Sequence, residues 1–255
     1  MIKQLFLINI KLRWKRFLLV FLATALASYN TRPTYMDYKG ALSSNDWMLE
    51  VSGTMLIMYF FAPLMVILLT FDLTQWLWSY VGTSALSKLE KRNTLFWSYV
   101  AIILGIVTFV VVSIVFWGYI IGYVRYNGFA AMDHHLLLTS KSSPSLFVFT
   151  HFVIDFFGLF FIAMIGLFVA FLTKNIVFSF IIPYALSFFL LMAFKGGLGF
   201  KGLFPGEGIL LNPYFAGTSA VLILIANAVY TIFVLFVLYG IINRISLVMP
   251  RTGRG

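Results

Sequence analysis

The chain has 255 residues, of which 62% are hydrophobic and 10% charged, with no cysteine and a formal net charge of +10. Mean hydropathy of +0.98 excludes a soluble domain with a wetted surface, and the lack of cysteine excludes disulfides, thiolate metal sites and a cysteine nucleophile. The excess of basic residues falls at the ends of apolar runs, so it reads as membrane orientation and not as a nucleic-acid surface.

The apolar residues come in long runs separated by short polar stretches, as a hydrocarbon layer of about 30 Å requires of helices. Val51 to Phe71 and Asn93 to Val124 are apolar on every face, whereas a membrane barrel would alternate polar and apolar residues. The fold expected is therefore all-α and polytopic, a single membrane domain over 1–250 with 251–255 as a tail outside it.

Six spans are predicted, at about 14–31, 52–72, 94–123, 146–172, 176–194 and 218–242. The first is the weakest, because its uncharged core is short and borrows length from snorkelling Lys15 and Arg16. Lys11, Arg13, Lys15 and Arg16 precede it as in a signal peptide, but no small-residue cleavage site closes it, so a retained span is expected. The stretch from Met1 to Phe17 does not gather its cations on one face, and reads as a basic helix entering the membrane surface. The third span is longer than a bilayer needs and must tilt or protrude. Pro63 and Pro183 lie inside spans, where they kink a helix without ending it.

Six spans put both termini on one side. That side carries twelve Lys and Arg against six on the other, or ten against six without Arg251 and Arg254. The positive-inside rule then places both termini in the cytoplasm, in what we expect to be a bacterial cell membrane.

Three connections carry information. The inner link from Gly82 to Asn93 is short and basic, with Leu86 and Leu89 sharing a helical face and Lys88, Lys91 and Arg92 lying elsewhere. The outer segment from Arg125 to Pro144 is a long loop. The stretch from Lys195 to Gly217 is rich in glycine, with Gly196, Gly197, Gly199, Gly202, Gly206 and Gly208, and has Pro205 and Pro213 between apolar patches, a mixture that suits a re-entrant, broken-helix excursion before the last span.

Catalytic signatures are absent. There is no G-x-x-x-x-G-K-[ST], no G-x-S-x-G and no H-E-x-x-H, so no enzyme activity, cofactor or metal site is expected on this chain. Asp133, His134 and His135 read as a solvated loop, since adjacent histidines point apart and no further ligand is spaced to join them. His151 and Asp155 stand four residues apart within a span and form an intramembrane polar pair. The pair reads either as a proton-sensing or substrate-contacting couple or, more simply, as a locally satisfied pair near the outer end of its helix. Phenylalanine-rich runs such as Tyr59 to Phe61 read as packing and lipid-facing residues.

The layout resembles the membrane permease subunits of ABC type 2 exporters, including those that export peptides, bacteriocins or drugs. A basic helix leads into the first span; the second span runs towards the cytoplasm and turns at Gly82 and Thr83; a basic segment from Ser84 to Asn93 feeds a long third span; and an Asn212, Pro213, Tyr214 turn lies in a broken segment between the fifth and sixth. The stretch from Gln75 to Ser79 lacks the acids that family members commonly carry before the glycine. The resemblance implies that Gly82, Thr83, Leu86, Lys88, Leu89, Lys91 and Arg92 form a coupling helix. That helix would dock on a separate ABC ATP-binding subunit, which holds the ATP and magnesium. It further implies a second permease subunit, identical or homologous, and a hydrophobic or amphipathic cargo. The rival expectations are a secondary carrier or channel, and a membrane enzyme working through His151 and Asp155.

Overall fold

In the computed structural model the residues described are 2–31, 44, 47, 48, 51, 54, 56–75, 92–126, 144–195 and 220–244. They are helical, with no strand among them. We name the helices α1 (Ile2–Asn30), α2 (Ala62–Thr70), α3 (Arg92–Tyr126), α4 (Pro144–Thr173), α5 (Ile176–Lys195) and α6 (Ala220–Arg244), with a π-helical turn over Leu56–Phe61 leading into α2. Three stretches are long and apolar enough to cross a membrane, Asn93–Arg125, Phe152–Thr173 and Val221–Arg244, and Ile176–Phe189 is a shorter apolar helix. The predicted re-entrant segment lies outside the described residues.

Successive helices alternate in direction, as pairs of contacts at the two ends show. At one end Arg13 and Arg16 of α1 reach Asp72 just after α2, Tyr99 near the start of α3 meets Phe171 near the end of α4, and Phe96 meets Tyr239 near the end of α6. At the other, Arg125 closes α3 against Tyr29 near the end of α1. We call these the basic end and the far end. Arg92, Lys174 and Arg244 fall by position at the basic end, with Arg125 and the last residue of α5, Lys195, at the far end.

Within the second predicted span the helix changes form at Pro63. Pro63 has no N–H to donate and stands in the first turn of α2, directly after the π-helical residues. The turn before it widens into the π form. Pro183, by contrast, sits inside a continuous α5, as expected.

The interior is organised around α4, which packs against α2, α3, α5 and α6. Ile154, Leu159, Ile162, Ala163 and Met164 are fully buried along it. Buried hydroxyls mostly bond back to their own helix: Thr70 donates to the Val66 carbonyl, Ser113 to Phe109, Ser179 to Asn175 and Ser187 to Tyr184. Lys174 and Asn175 alone join α4 to α5. Lys174 adopts φ 52°, the left-handed conformation that ends many helices. The Asn175 side-chain oxygen accepts the Val177 N–H at 2.8 Å and so caps α5.

α1 lies outside this group, along α3. Phe17 packs edge-on against Phe109 at 4.9 Å, and Phe21 stands 5.9 Å from Phe116 and 5.1 Å from Trp117. Its opposite face, with Leu12, Leu18, Leu19, Leu22 and Leu26, is exposed. At 35 residues, α3 is about 52 Å long, well beyond a hydrocarbon layer of about 30 Å. Its excess is not free-standing, since Phe96 and Tyr99 brace the ends of α6 and α4.

The far end of α3 also seats the segment around Ser44, Trp47 and Met48. A Cβ on Gly122 would lie 2.8 Å from Trp47 Cβ and 3.0 Å from the Ser44 backbone, whereas one on Gly166 would come no closer than 3.5 Å to Pro183 of α5. Gly122→Ala should therefore destabilise the protein by about 1–3 kcal/mol through overpacking. Gly166→Ala should be neutral or stabilising by up to about 1 kcal/mol through helix propensity. Thermal unfolding of the two variants in the same detergent checks the contrast, which fails if Gly166→Ala is the more damaging.

Candidate functional site

Six of the seven predicted coupling residues, Gly82, Thr83, Leu86, Lys88, Leu89 and Lys91, lie outside the described residues. The seventh, Arg92, is the first residue of α3. What the structure describes is the pair of roots from which that segment grows, the end of α2 through Gln75 and the start of α3.

These roots are held by a polar cluster. The Arg13 guanidinium donates to Asp72 through Nε at 3.1 Å and lies within 3.0 Å of the same carboxylate oxygen through Nη2. Arg16 donates from Nη1 to the other oxygen at 2.8 Å. The Arg13 and Asp72 side chains are only 10% and 15% exposed, whereas Arg16 is 42% exposed and its guanidinium lies 5.2 Å from the centre of the Phe71 ring. Next to it the Tyr99 hydroxyl donates to the Leu73 carbonyl at 3.2 Å, joining α3 to the end of α2. The Tyr99 ring is 5.7 Å from Phe171. The cluster thus connects α1, the end of α2, α3 and α4.

The local logic is simple. Arg13 and Arg16 are three residues apart on α1 and so share a face, and one carboxylate offers two oxygens, enough for both donors. A guanidinium drawn into apolar surroundings needs such a partner. Sequence reasoning took the two arginines only as charges at a membrane boundary. The signal it could have used is Asp72 itself, an acid ending an apolar run in a chain with 18 basic and 8 acidic residues.

The second predicted feature is the pair on α4. Asp155 is 2% exposed, so its side chain faces protein and not lipid. Gly166, three turns on along the same face of α4, lies against Pro183 and Ser179 of α5. His151 lies one turn before Asp155 on the helix. Asn227 and Thr231 of α6 are also buried, and the Phe161 and Tyr230 rings, 6.2 Å apart, set α4 beside α6. Among the described residues no group of three or more His, Cys, Asp or Glu could hold a metal ion, and Asp133, His134 and His135 lie outside them.

No protein-family model matches the chain, and no curated protein or solved structure matches it.

The cluster carries unequal weights. Asp72→Asn leaves a mostly buried Arg13 without its counter-charge and should cost about 3 kcal/mol, the lower end for a broken buried pair because the site is not fully dry. Arg16→Gln, at a solvent-screened position, should cost less than about 1 kcal/mol. Unfolding midpoints in detergent for the two variants should separate clearly. Equal losses would show that Arg13 does not depend on Asp72.

Proposed function

We propose that this chain is the non-catalytic transmembrane subunit of an ATP-driven exporter of the ABC type 2 kind. It would span the membrane six times with both termini in the cytoplasm and pair with a second permease copy or homologue around the path of a hydrophobic or amphipathic cargo. ATP and magnesium belong to a separate ATP-binding subunit, which grips the segment from Gly82 to Arg92.

The observation that supports this reading most is the bracing of the segment's roots. A short basic segment can act as a lever only if force on it moves packed helices and does not merely stretch a loop. Here the Tyr99 hydroxyl ties α3 to the Leu73 carbonyl, and Asp72 is held by Arg13 and Arg16. A partner's groove that takes Leu86 and Leu89 by helix-in-groove recognition would pull on α1, α2, α3 and α4 together. Such coupled displacement of packed helices is how rigid-body switching between inward and outward states is driven.

Two measurements test it. The solubilised chain, expressed in its native cell, should co-purify with a P-loop ATPase, and joint Lys88→Ala, Lys91→Ala and Arg92→Ala substitution should abolish stimulation of that ATPase by cargo. No ATPase partner, together with unaltered transport in the triple variant, would sink the reading.

The burial of Asp155 favours one alternative, a carrier or membrane enzyme working through Asp155 and His151, because a carboxyl group inside a span is costly to keep. Asp155→Asn keeps the shape and removes the charge. On the exporter reading ATP-dependent transport should survive within about threefold, a barrier change below about 1 kcal/mol. Complete loss of an activity of the isolated chain would favour the alternative.

A further inference from the structure

Near the basic end of α6 the outer surface of the bundle opens into a groove of about 360 Å³ lined by Val237, Gly240, Ile241 and Arg244. These residues follow one another at intervals of three, one and three, so they lie along one face of the helix. Gly240 makes the groove: a Cβ built there would meet nothing within 4 Å, so no described helix fills the space above it. Arg244 is exposed, in the last turn of α6. Neither described carboxylate pairs with it: Asp72 is engaged by Arg13 and Arg16, and Asp155 lies on α4 about 27 Å from its basic end by helical rise.

Above the groove the same face of α6 continues as Phe236, Phe233 and Val229, all strongly exposed. From Gly240 to Val229 is about 16 Å along the axis, close to half of a hydrocarbon layer of about 30 Å. An apolar strip one leaflet long, ending in a recess whose guanidinium pairs with neither described carboxylate, matches a particular shape. That shape is a molecule with an anionic phosphate head and a hydrocarbon tail.

We propose that this groove is a binding site for an anionic phospholipid. Its phosphate pairs with Arg244, its glycerol region fills the recess over Gly240, and an acyl chain lies along Phe236, Phe233 and Val229. Arginine suits this role because its planar fork can meet two phosphate oxygens at once, and a recess dug by a glycine holds one lipid in place where a smooth helix would hold none. The assignment does not rest on the transport reading.

The test uses the full chain in a neutral detergent, titrated with phosphatidylglycerol or phosphatidylcholine and read by native mass spectrometry. Wild type should retain phosphatidylglycerol at least fivefold more than phosphatidylcholine. Arg244→Gln and Gly240→Leu, which remove the charge and fill the recess, should each reduce that retention about fivefold without altering the unfolding midpoint. Lys174→Gln removes one positive charge at the same end, outside the groove, and should leave retention unchanged. An equal loss in Lys174→Gln would mean diffuse attraction to basic residues and would overturn the site. Absence of any preference in wild type would overturn it too, as would displacement of the lipid by millimolar inorganic phosphate. If Gly240→Leu changed the oligomeric state in lipid-free detergent and left lipid retention intact, the face would belong to a second copy of the chain and the lipid assignment would fail.

Discussion

One carboxylate shared by two guanidinium groups holds the first helix to the rest of the molecule. Asp72 accepts from both Arg13 and Arg16, and in apolar surroundings the alternative for Arg13 is an uncompensated charge. Because α1 presents a leucine-rich face outwards, its apolar burial is one-sided, and polar contacts at its middle and in its last turn fix its position. At the far end the Arg125 guanidinium lies 4.8 Å from the Tyr29 ring and 4.7 Å from the Trp47 ring, a cation held between two aromatic faces. Between these two points the Phe17 and Phe21 contacts run along α3. A helix whose sequence is marginal as a span is thereby kept parallel to one that is more than long enough.

Most other polar groups in the interior are satisfied within their own helices, so they add little that is specific between helices. Specificity comes from shape: the absent side chain at Gly122, the aromatic contacts of Tyr99 and Phe96, and the central position of α4. Asp155, Asn227 and Thr231 differ because they are buried polar side chains on two helices that run side by side. They mark the part of the bundle where a change of charge would be felt by more than one helix.

Much of the fold was legible in the sequence. Long apolar runs translate directly into helices in a medium without water, where every backbone group must bond within its own segment, and five of the six predicted stretches coincide within four residues with helical elements, while the first is only the later part of α1. The exception is informative. Basic residues interrupt the hydropathy before residue 14 but not the helix, and in the run containing Pro63 hydropathy cannot register that the turn before the proline takes the π form. Tertiary pairings were not legible. Asp72 was visible only as a nearby acid, since nothing in a linear pattern says which of 18 basic residues will reach it across 59 positions. Tyr99 was hidden for the same reason, as one of many aromatics in an apolar run. The position of His151 and Asp155 one turn apart followed from helical periodicity alone, whereas the burial of Asp155 depended on which helices surround α4.

The connection between α4 and α5 bears on how the chain reaches its final state. With Lys174 and Asn175 as the whole link, and with Asn175 and Thr173 bonding the turn to itself, neither helix has slack to wait for the other. A nascent chain with α4 already in lipid would have to hold Ile176–Phe189, an apolar helix, against water within two residues of its partner. So short a link favours insertion of the two segments together as a hairpin, and α4 is the helix on which α2, α3 and α6 also pack. The placing of that hairpin therefore fixes contacts with three other helices at once.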